Sequence, residues 1–383
     1  MIGRLAATVI VAIGCAHVAV AEAADGHRIR VALSADHNAV TVASEEPMLV
    51  TAPGVRRTFS GHVAIRRDGA RIVVNGVRLA SPIRITGRSA LKLDGAQLRG
   101  SLFISAHEKG LLVVNALDLE DYVKSVVPSE VPAAWPLEAL KSQAIIARTY
   151  ALYHREERAN QGFDVDATTQ SQVYGGLGSE DPATSEAVDA TAGLVVTYDG
   201  RLALTPYHST SSGPTEDAAE VWGIDLPYLK GVECPFDASS PAFQWDRRLS
   251  FEAIESALRE AGYRVGPLAT ITPLGRNRSG RVSAVRILHA EGEIILQGEA
   301  LRRIIGYQRL PSMRFDVVDV DFDPRDREFG VRFHGGGWGH GVGLCQWGMK
   351  ALAERGWSAD RIIDYYYPGT TLDHVGSRSH RAR

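Results

Sequence analysis

One glutamate is placed for acid–base chemistry. Glu130 lies between Pro128 and Pro132, and Trp135 follows shortly after. The two proline rings fix φ on either side and stiffen the turn, as a positioned catalytic group requires. Apolar neighbours raise a carboxyl pKa by excluding water, whereas the start of a helix near Pro136 favours the ionised form. The residues alone leave two interpretations open, a general acid or an acidic side chain that only complements a helix dipole.

The element that must position this glutamate is a helix predicted from Pro136 to Asn160. Apolar residues recur at helical spacing on two faces, which predicts burial around much of the helix. Pro136 suits the first turn and Gly162 ends the run. Arg148 lies inside the apolar pattern and therefore needs a partner, either a structural carboxylate such as Asp166 or oxygen atoms of a substrate.

The chain before this helix is predicted to be rich in β-structure. Short alternating segments are separated by turn residues such as Asn75-Gly76 and Asp94-Gly95. A hairpin from Leu102 to Leu117, turning at Lys109-Gly110, leads into the Glu130 segment. The predicted strands include Arg30–Leu33, Val40–Val42, Arg71–Val74, Arg84–Thr86 and Leu102–Ser105.

The rest of the chain mixes helices and strands. The fold class is therefore α+β, with a β-rich N-terminal part followed by a mixed region in which a central buried helix packs on sheet. The further predicted helices are Phe251–Ala261, Glu299–Ile305, Gln346–Arg355 and Ser358–Tyr367, and the further strands are Val282–Leu288 and Ile294–Gln297. The predicted organisation is a leader at 1–23, a β-rich subdomain at 24–115, a larger region at 116–373 and a flexible tail at 374–383.

The first 23 residues resemble an export signal. Arg4 precedes an apolar run from Leu5 to Ala21, and small residues at Ala21 and Ala23 suit cleavage. An uncleaved anchor and a lipid acceptor at Cys15 are the alternatives. No later segment is long and apolar enough to cross a bilayer, so we expect a mature chain without a transmembrane span, in the periplasm or cell envelope.

Composition narrows the class of partner and cofactor. The 383 residues are 45% hydrophobic with a net charge of −3, which fits a globular protein and argues against nucleic acid as a partner.

Beyond Cys15, only Cys234 and Cys345 remain, either paired or buried as small apolar side chains. Because the sequence has no Cys-x-x-Cys or His-x-x-x-His pair, it predicts no metal site. The glycine-rich run Gly335–Gly348 lacks dinucleotide and phosphate-binding patterns, so no cofactor is predicted.

Five ordered blocks together resemble the SpoIID/LytB family. The resemblance covers roughly residues 30–373, nearly the whole chain after the leader. The blocks are Val127–Pro132 with Trp135–Ala144 and Ala147–Ala151, then Thr168–Tyr174, then Tyr207–Gly213 with Glu216-Asp217 and Val221-Trp222, then Leu301–Gly306, and finally Gly336–Gly348.

The resemblance implies a peptidoglycan lytic transglycosylase. Such an enzyme cuts peptide-stripped glycan strands between N-acetylmuramic acid and N-acetylglucosamine and leaves a 1,6-anhydro product, and Glu130 matches the catalytic acid/base. Ordinary glycosidases need two carboxylates. Here the muramic acid's own hydroxyl attacks, so one carboxyl serves first as acid and then as base.

The resemblance also suggests substrate-binding residues around Glu130. Trp338 or Trp347 offers an apolar face to a sugar ring, with burial in the core as the alternative. Glycines of the run 335–348 would let backbone approach an extended sugar chain. His340 and Gln346 would either bind substrate or orient Glu130. The predicted substrate-binding residues are Arg148, Gln172, His208, Ser209, Trp338, His340 and Gln346.

The resemblance also bears on a bound metal and on a protein partner. Some relatives bind a metal through cysteines near the loop after His208, but this chain has Ser209-Thr210-Ser211-Ser212 there, so no metal is expected. Other relatives are named enhancers of an N-acetylmuramoyl-L-alanine amidase. The rival function is thus a non-catalytic wall-binding protein with an amidase partner, while a degenerate scaffold would lack the glutamate. The biological process, in sporulation, division or wall turnover, stays open.

Overall fold

A computed structural model describes residues 28–324 and 328–376. The predicted leader, Cys15 and the tail from 377 onward lie outside the described residues. The α+β class is confirmed. The chain divides into two compact units, of which the first holds mainly residues 32–95 and 100–116 and the second holds 29–31, 96–99 and 117 onward.

Unit 1 is a mainly antiparallel sheet, in the order β1-β10-β9-β6-β2-β3-β4-β5. The five strands predicted before the central helix fall within it, and the β9–β10 hairpin pairs His107 with Gly110 as expected. Asn75 adopts a positive φ of 45° in the predicted Asn75-Gly76 turn, which asparagine tolerates. The strands are β1 Arg28–His37, β2 Ala39–Ala52, β3 Val55–Asp68, β4 Arg71–Val74, β5 Val77–Ala80, β6 Ile83–Thr86, β7 Leu91–Leu93, β8 Ala96–Leu98, β9 Ser101–His107 and β10 Gly110–Asp118, of which β8 belongs to unit 2.

Unit 2 contains a helix just before Val131 where the sequence pattern predicts none. Helix α1, Leu119–Glu130, starts at Asp118, whose side chain caps the backbone N–H of Glu120. Its buried face is apolar and includes Val123 and Val127. Pro128 lies in the last turn of this helix, so the stiff non-helical turn predicted around it is absent there.

Helix α2, Leu137–Glu157, is the predicted central helix and is buried on most of its length. It packs against α1, against α3 Pro182–Ala190 and against β12 Leu194–Tyr198. Two C-terminal helices, α7 Gln346–Glu354 and α8 Ala359–Tyr366, cover the remaining side. The other short elements of this part are α4 Ala218–Trp222, β11 Val165–Asp166, β13 Arg201–Leu202, β14 Tyr207–His208, β21 Leu344–Cys345 and β22 Thr371–His374.

Residues 245–335 form a second layer of unit 2 around their own apolar core. Two three-stranded sheets, β15-β20-β19 and β16-β17-β18, surround it together with two helices. Ser250 caps the first of these helices as predicted, accepting the Ala253 N–H at 3.2 Å. The elements are β15 Trp245–Ser250, α5 Phe251–Glu260, β16 Leu268–Pro273, β17 Ala284–His289, β18 Gly292–Gln297, α6 Gly298–Ile305, β19 Phe315–Asp323 and β20 Glu328–Gly335.

Within residues 28–324 and 328–376, no helix combines the length and the apolar character needed to span a bilayer.

Candidate active site around Glu130

Glu130 is the last residue of α1, which corrects two expectations. The carboxylate does not stand in a stiff non-helical turn, since Pro128 belongs to the helix, whose C-terminal cap is Val131. Nor does it complement the dipole at the start of α2, because that helix begins only at Leu137. At a helix C-terminus the backbone carries partial negative charge, which disfavours an ionised carboxylate.

The carboxyl of Glu130 is half-buried and held by two donors. Its Oε1 accepts the backbone N–H of Val173 at 2.8 Å, and the hydroxyl of Tyr207 donates a second hydrogen bond. Burial raises the pKa of Glu130 above its ordinary value, and these two donors act in the opposite direction without cancelling the rise. A carboxyl held this way can keep a proton at a pH where a solvated glutamate has lost it.

Tyr207 is itself fixed by a chain of buried hydrogen bonds. The amide of Gln172 donates to the Tyr207 hydroxyl at 3.1 Å, and its carbonyl accepts from Tyr122 at 3.0 Å. Burial raises the pKa of both tyrosines well above 10, so both remain donors. Gln172, a predicted substrate-binding residue, is fully buried with its amide committed to these tyrosines, so its contacts are those of a positioning residue.

The glycine-rich segment 335–348 lies beside Tyr207 because it pairs with strand β14 and with Thr210. Strands β14 and β21 are parallel neighbours, and Thr210 and Trp338 exchange two backbone hydrogen bonds of 3.1 and 2.8 Å. His340 bonds the backbone of Tyr207, and its Nδ1 accepts the Val342 N–H at 3.0 Å. The Tyr207–Gly213 and Gly336–Gly348 blocks of the sequence are therefore paired with each other in the fold.

The histidines of this region are neutral and engaged with the protein. His208 is buried, and its ring nitrogens lie 3.2 Å from the Val342 carbonyl and 2.7 Å from the Ser211 hydroxyl. Burial lowers its pKa well below 6.5. Burial, with the nearby Arg302 and Arg281, lowers the pKa of half-buried His340 to about 3. Neither ring is an obvious proton carrier at neutral pH.

Two glycines of segment 335–348 are packed closely against other protein atoms. A side chain at Gly339 would meet His208 at 2.5 Å, and one at Gly343 would meet the Pro206 carbonyl at 2.1 Å. Both positions also have positive φ, of 117° and 71°. The expectation that these glycines admit a sugar chain is therefore wrong for both, because protein atoms fill the space beside them.

Two tryptophan rings pack together at the start of α7. Trp135 and Trp347 are both half-exposed and pack edge to face, with ring centroids 5.5 Å apart. Gln346, which directly precedes Trp347, is buried, and its amide lies 3.3 Å from the Gln143 carbonyl oxygen and 3.5 Å from the backbone carbonyl of Glu130. The second contact is at the limit of a hydrogen bond. Half-exposed indole rings next to an acid can pack against the face of a pyranose.

The remaining predicted residues have mixed surroundings. Trp338 is half-exposed and anchored by its backbone. Ser209 is also half-exposed, and its carbonyl accepts the Trp347 N–H at 3.1 Å while its hydroxyl faces Thr210 at 3.2 Å. Ser209 therefore supports the position of Trp347.

Arg148 has a partner other than the predicted one. Its guanidinium makes two bonds to the carboxylate of Glu120, of 2.8 and 2.6 Å, so the predicted structural carboxylate is present but is Glu120 and not Asp166. Its other N–H groups reach the carbonyls of Ala144, Leu194 and Val188, and the side chain is fully buried. Every donor is used, so Arg148 ties α1 to α2 and leaves no donor for a substrate.

Sequence reasoning did not single out Tyr122, Tyr207, Val173 or Glu120. Tyr207 directly precedes His208, which the sequence predicts to bind substrate. Glu120 lies two residues after Asp118, and that aspartate is the sequence signal for the start of α1. The Val173 contribution is a backbone N–H, which no residue type reveals.

Comparison with known proteins supplies the family. The model of the SpoIID family, described as Stage II sporulation protein, matches residues 107–198, and a domain of unknown function, DUF8618, matches residues 228–343. An uncharacterized protein of Brachyspira hyodysenteriae is 34% identical over 281 residues, covering 73% of this chain and 73% of the relative.

Two relatives from Bacillus subtilis have descriptive names. "Stage II sporulation protein D" is 29% identical, over 68% of this chain and 76% of that protein. "Amidase enhancer" is 30% identical, over 65% of this chain and 40% of that protein. The matches and the ordered sequence blocks agree, and the chain belongs to the SpoIID family.

Proposed function

We propose that this protein is an exported peptidoglycan lytic transglycosylase that acts in the bacterial cell wall, with Glu130 as its only proton carrier. The observation that carries the proposal is the half-buried Glu130 carboxyl, whose pKa is raised by burial while Val173 and Tyr207 fix its orientation. A group with these properties suits a general acid that must also accept a proton later. The names of the relatives support a role at the cell wall.

The proposed reaction needs no second protein carboxylate. Glu130 donates its proton to the glycosidic oxygen as the bond from that oxygen to C1 of N-acetylmuramic acid breaks. The C6 hydroxyl oxygen of the same sugar then bonds C1 and closes the 1,6-anhydro ring. The hydroxyl's proton passes to the Glu130 carboxylate, so the enzyme returns to its starting state. No water is consumed.

The surface beside the acid suits a sugar more than a peptide. Trp135 and Trp347 present half-exposed indole rings, and Lys350 lies 5.5 Å from the Trp347 ring. Indole rings stack on the apolar face of a pyranose. The Lys350 ammonium pairs with Glu354, so the lactyl carboxylate that a peptide-stripped muramic acid exposes would join or replace that partner. We therefore propose a preference for denuded strands.

Tyr207→Phe is expected to change the pH dependence more than the maximal rate. The hydroxyl favours the ionised form of Glu130, so its loss raises the Glu130 pKa further. The acid must be protonated to act, and activity therefore falls as pH rises through that pKa. In the variant this fall should move to higher pH, with the plateau kept within about tenfold because the carboxyl remains.

The control for this variant is Tyr150→Phe. The Tyr150 ring packs 6.4 Å from Tyr207 and should leave the pH profile in place. An unchanged profile in Tyr207→Phe, measured as kcat/KM against pH, would show that the hydroxyl does not act on the proton-carrying group.

Digestion of purified glycan tests the proposal as a whole. We expect the protein alone to release fragments ending in 1,6-anhydro-muramic acid from peptide-stripped strands, identified by mass spectrometry, and to act less on peptide-bearing walls. The second candidate is a non-catalytic enhancer of an amidase, which the name of one relative favours. On that alternative, no anhydro ends appear and amidase turnover rises when the protein is added.

A further inference from the structure

Three metal-binding side chains meet in the interior of unit 2. Cys234, Asp237 and Cys345 each place one ligand atom within 4.8 Å of the others. All three are buried, with exposures of 1%, 0% and 0%. They come from two distant segments, because Cys234 and Asp237 lie in one loop while Cys345 ends β21 and precedes α7.

The spacing of these atoms suits a tetrahedral cation. Zinc binds thiolate sulfur at about 2.3 Å and carboxylate oxygen at about 2.0–2.2 Å, so two tetrahedral ligands should lie about 3.5–3.8 Å apart. The observed distance from Cys345 Sγ to Asp237 Oδ2 is 3.4 Å. The two thiols are also within hydrogen-bonding reach of each other. Only small adjustments would therefore bring the three atoms around one ion.

The Asp237 carboxylate has one buried oxygen without a partner among the described residues. Asp237 Oδ2 accepts the backbone N–H groups of Ser211 and Ser212 at 2.7 and 2.8 Å, which fixes the carboxylate in place. Its Oδ1 is buried and has no hydrogen-bond partner among the described residues. An unsatisfied carboxylate oxygen is costly inside a protein, and a cation would remove that cost.

The ligand types select the class of ion. Two thiols and one carboxylate favour zinc-like divalent ions over magnesium or calcium, which prefer all-oxygen sites. With both thiols deprotonated, a divalent ion leaves one net negative charge, which the buried guanidinium of Arg281 can offset because it interacts electrostatically with Cys345. The Tyr366 hydroxyl, 3.3 Å from Cys234 Sγ, and the Ser209 carbonyl, 3.6 Å from Cys345 Sγ, border the position of a fourth ligand.

We propose that Cys234, Asp237 and Cys345 bind one zinc-class divalent cation with a structural role. The ion joins the loop around residue 235 to the start of α7. Asp237 links it to Ser211 and Ser212, and Cys345 lies directly before Gln346 and Trp347 beside the acid. The bound ion would therefore fix the start of α7, where the Gln346 amide faces the backbone carbonyl of Glu130. It would take no part in the cleavage reaction.

Metal content of the full chain tests this proposal independently of activity. Protein is purified in a Cys15→Ser background, exposed to zinc, desalted and analysed by mass spectrometry for metals. About one zinc per chain is expected, falling to near zero in Cys345→Ser and in Asp237→Asn. The asparagine keeps an oxygen for the Ser211 and Ser212 N–H groups, so that variant should stay folded. Asp246→Asn, at a carboxylate that is 64% exposed, is the matched control and should keep its zinc.

Cobalt gives a second readout. Cobalt-loaded protein should absorb in the near ultraviolet through thiolate-to-cobalt charge transfer, and either cysteine-to-serine change should weaken this band. Folded wild-type protein that retains no zinc and shows no such band would overturn the proposal. So would a thiol titration in denaturant that finds Cys234 and Cys345 joined in a disulfide.

Discussion

Glu130→Gln should slow the release of anhydro-muramyl fragments by about 100-fold to 10,000-fold. Glutamine keeps the shape of the side chain and an oxygen for the Val173 N–H, 2.8 Å away in the native protein, but it cannot donate a proton to the leaving oxygen. Glycan binding should persist, because the half-exposed tryptophans are untouched. The measurement is the rate of fragment release at saturating glycan, together with binding to insoluble strands.

The matched control is Glu156→Gln, an exposed glutamate near the end of α2. It should cleave at the wild-type rate. Retention of more than about a tenth of the rate by Glu130→Gln would remove this carboxyl from the chemistry, and equal losses in both variants would indicate damage unrelated to the acid.

Unfolding experiments separate chemistry from folding in the same variant. The pKa of Glu130 is raised in the folded state, so the unfolded chain loses this proton at a lower pH than the folded protein does. The free energy of unfolding therefore falls as pH rises above the ordinary glutamate pKa. Glutamine carries no charge to bury. Glu130→Gln should thus be no less stable than wild type at pH 7, and any advantage should shrink below about pH 4.5.

Glu120→Gln is expected to have the largest effect on stability. It removes the carboxylate that pairs with the fully buried Arg148, leaving a charged guanidinium inside the protein without its counter-ion. Breaking such a pair from one side costs about 3–5 kcal/mol, and the value here should be near 3 because Glu120 is 28% exposed. Urea unfolding followed by circular dichroism measures the change.

Asp121→Asn provides the control one residue further on. Asp121 is 36% exposed and lies 3.8 Å from Arg99, a pair worth well under 1 kcal/mol. If Glu120→Gln lost no more stability than Asp121→Asn, the Arg148 pair would not hold α1 against α2. Replacing both partners, as in Glu120→Leu with Arg148→Met, should recover part of the loss because no charge then stays buried.

Elements with strong local signals were predictable from the sequence. Helix α5 has a serine cap at Ser250 and an apolar period, and hairpin β9–β10 has alternating residues around a glycine turn. Helix α1 has an equally good cap at Asp118, but Pro128 in its last turn looked like a helix breaker. A proline can stand there because the rest of the buried apolar face holds the helix in place.

The candidate acid was predictable and its environment was not. Glu130 stands out through the resemblance of its sequence block, but its N–H donor comes from Val173, 43 residues away. The same limit applies to Arg148: its position in an apolar helix pattern predicts a buried partner but does not identify Glu120. It also applies to Cys234 and Cys345, which are far apart in sequence and close together in the fold. Local sequence determines helices and turns, whereas contacts between distant segments depend on the packed fold.

Cleavage in water labelled with oxygen-18 tests the one-carboxyl mechanism most directly. Ring closure by the substrate's own hydroxyl predicts that no labelled oxygen enters the new muramic acid end, and that this end is one water lighter than a reducing sugar. A labelled reducing end in the wild-type products would show that water attacks C1. The enzyme would then be a hydrolase that needs a second group to activate that water.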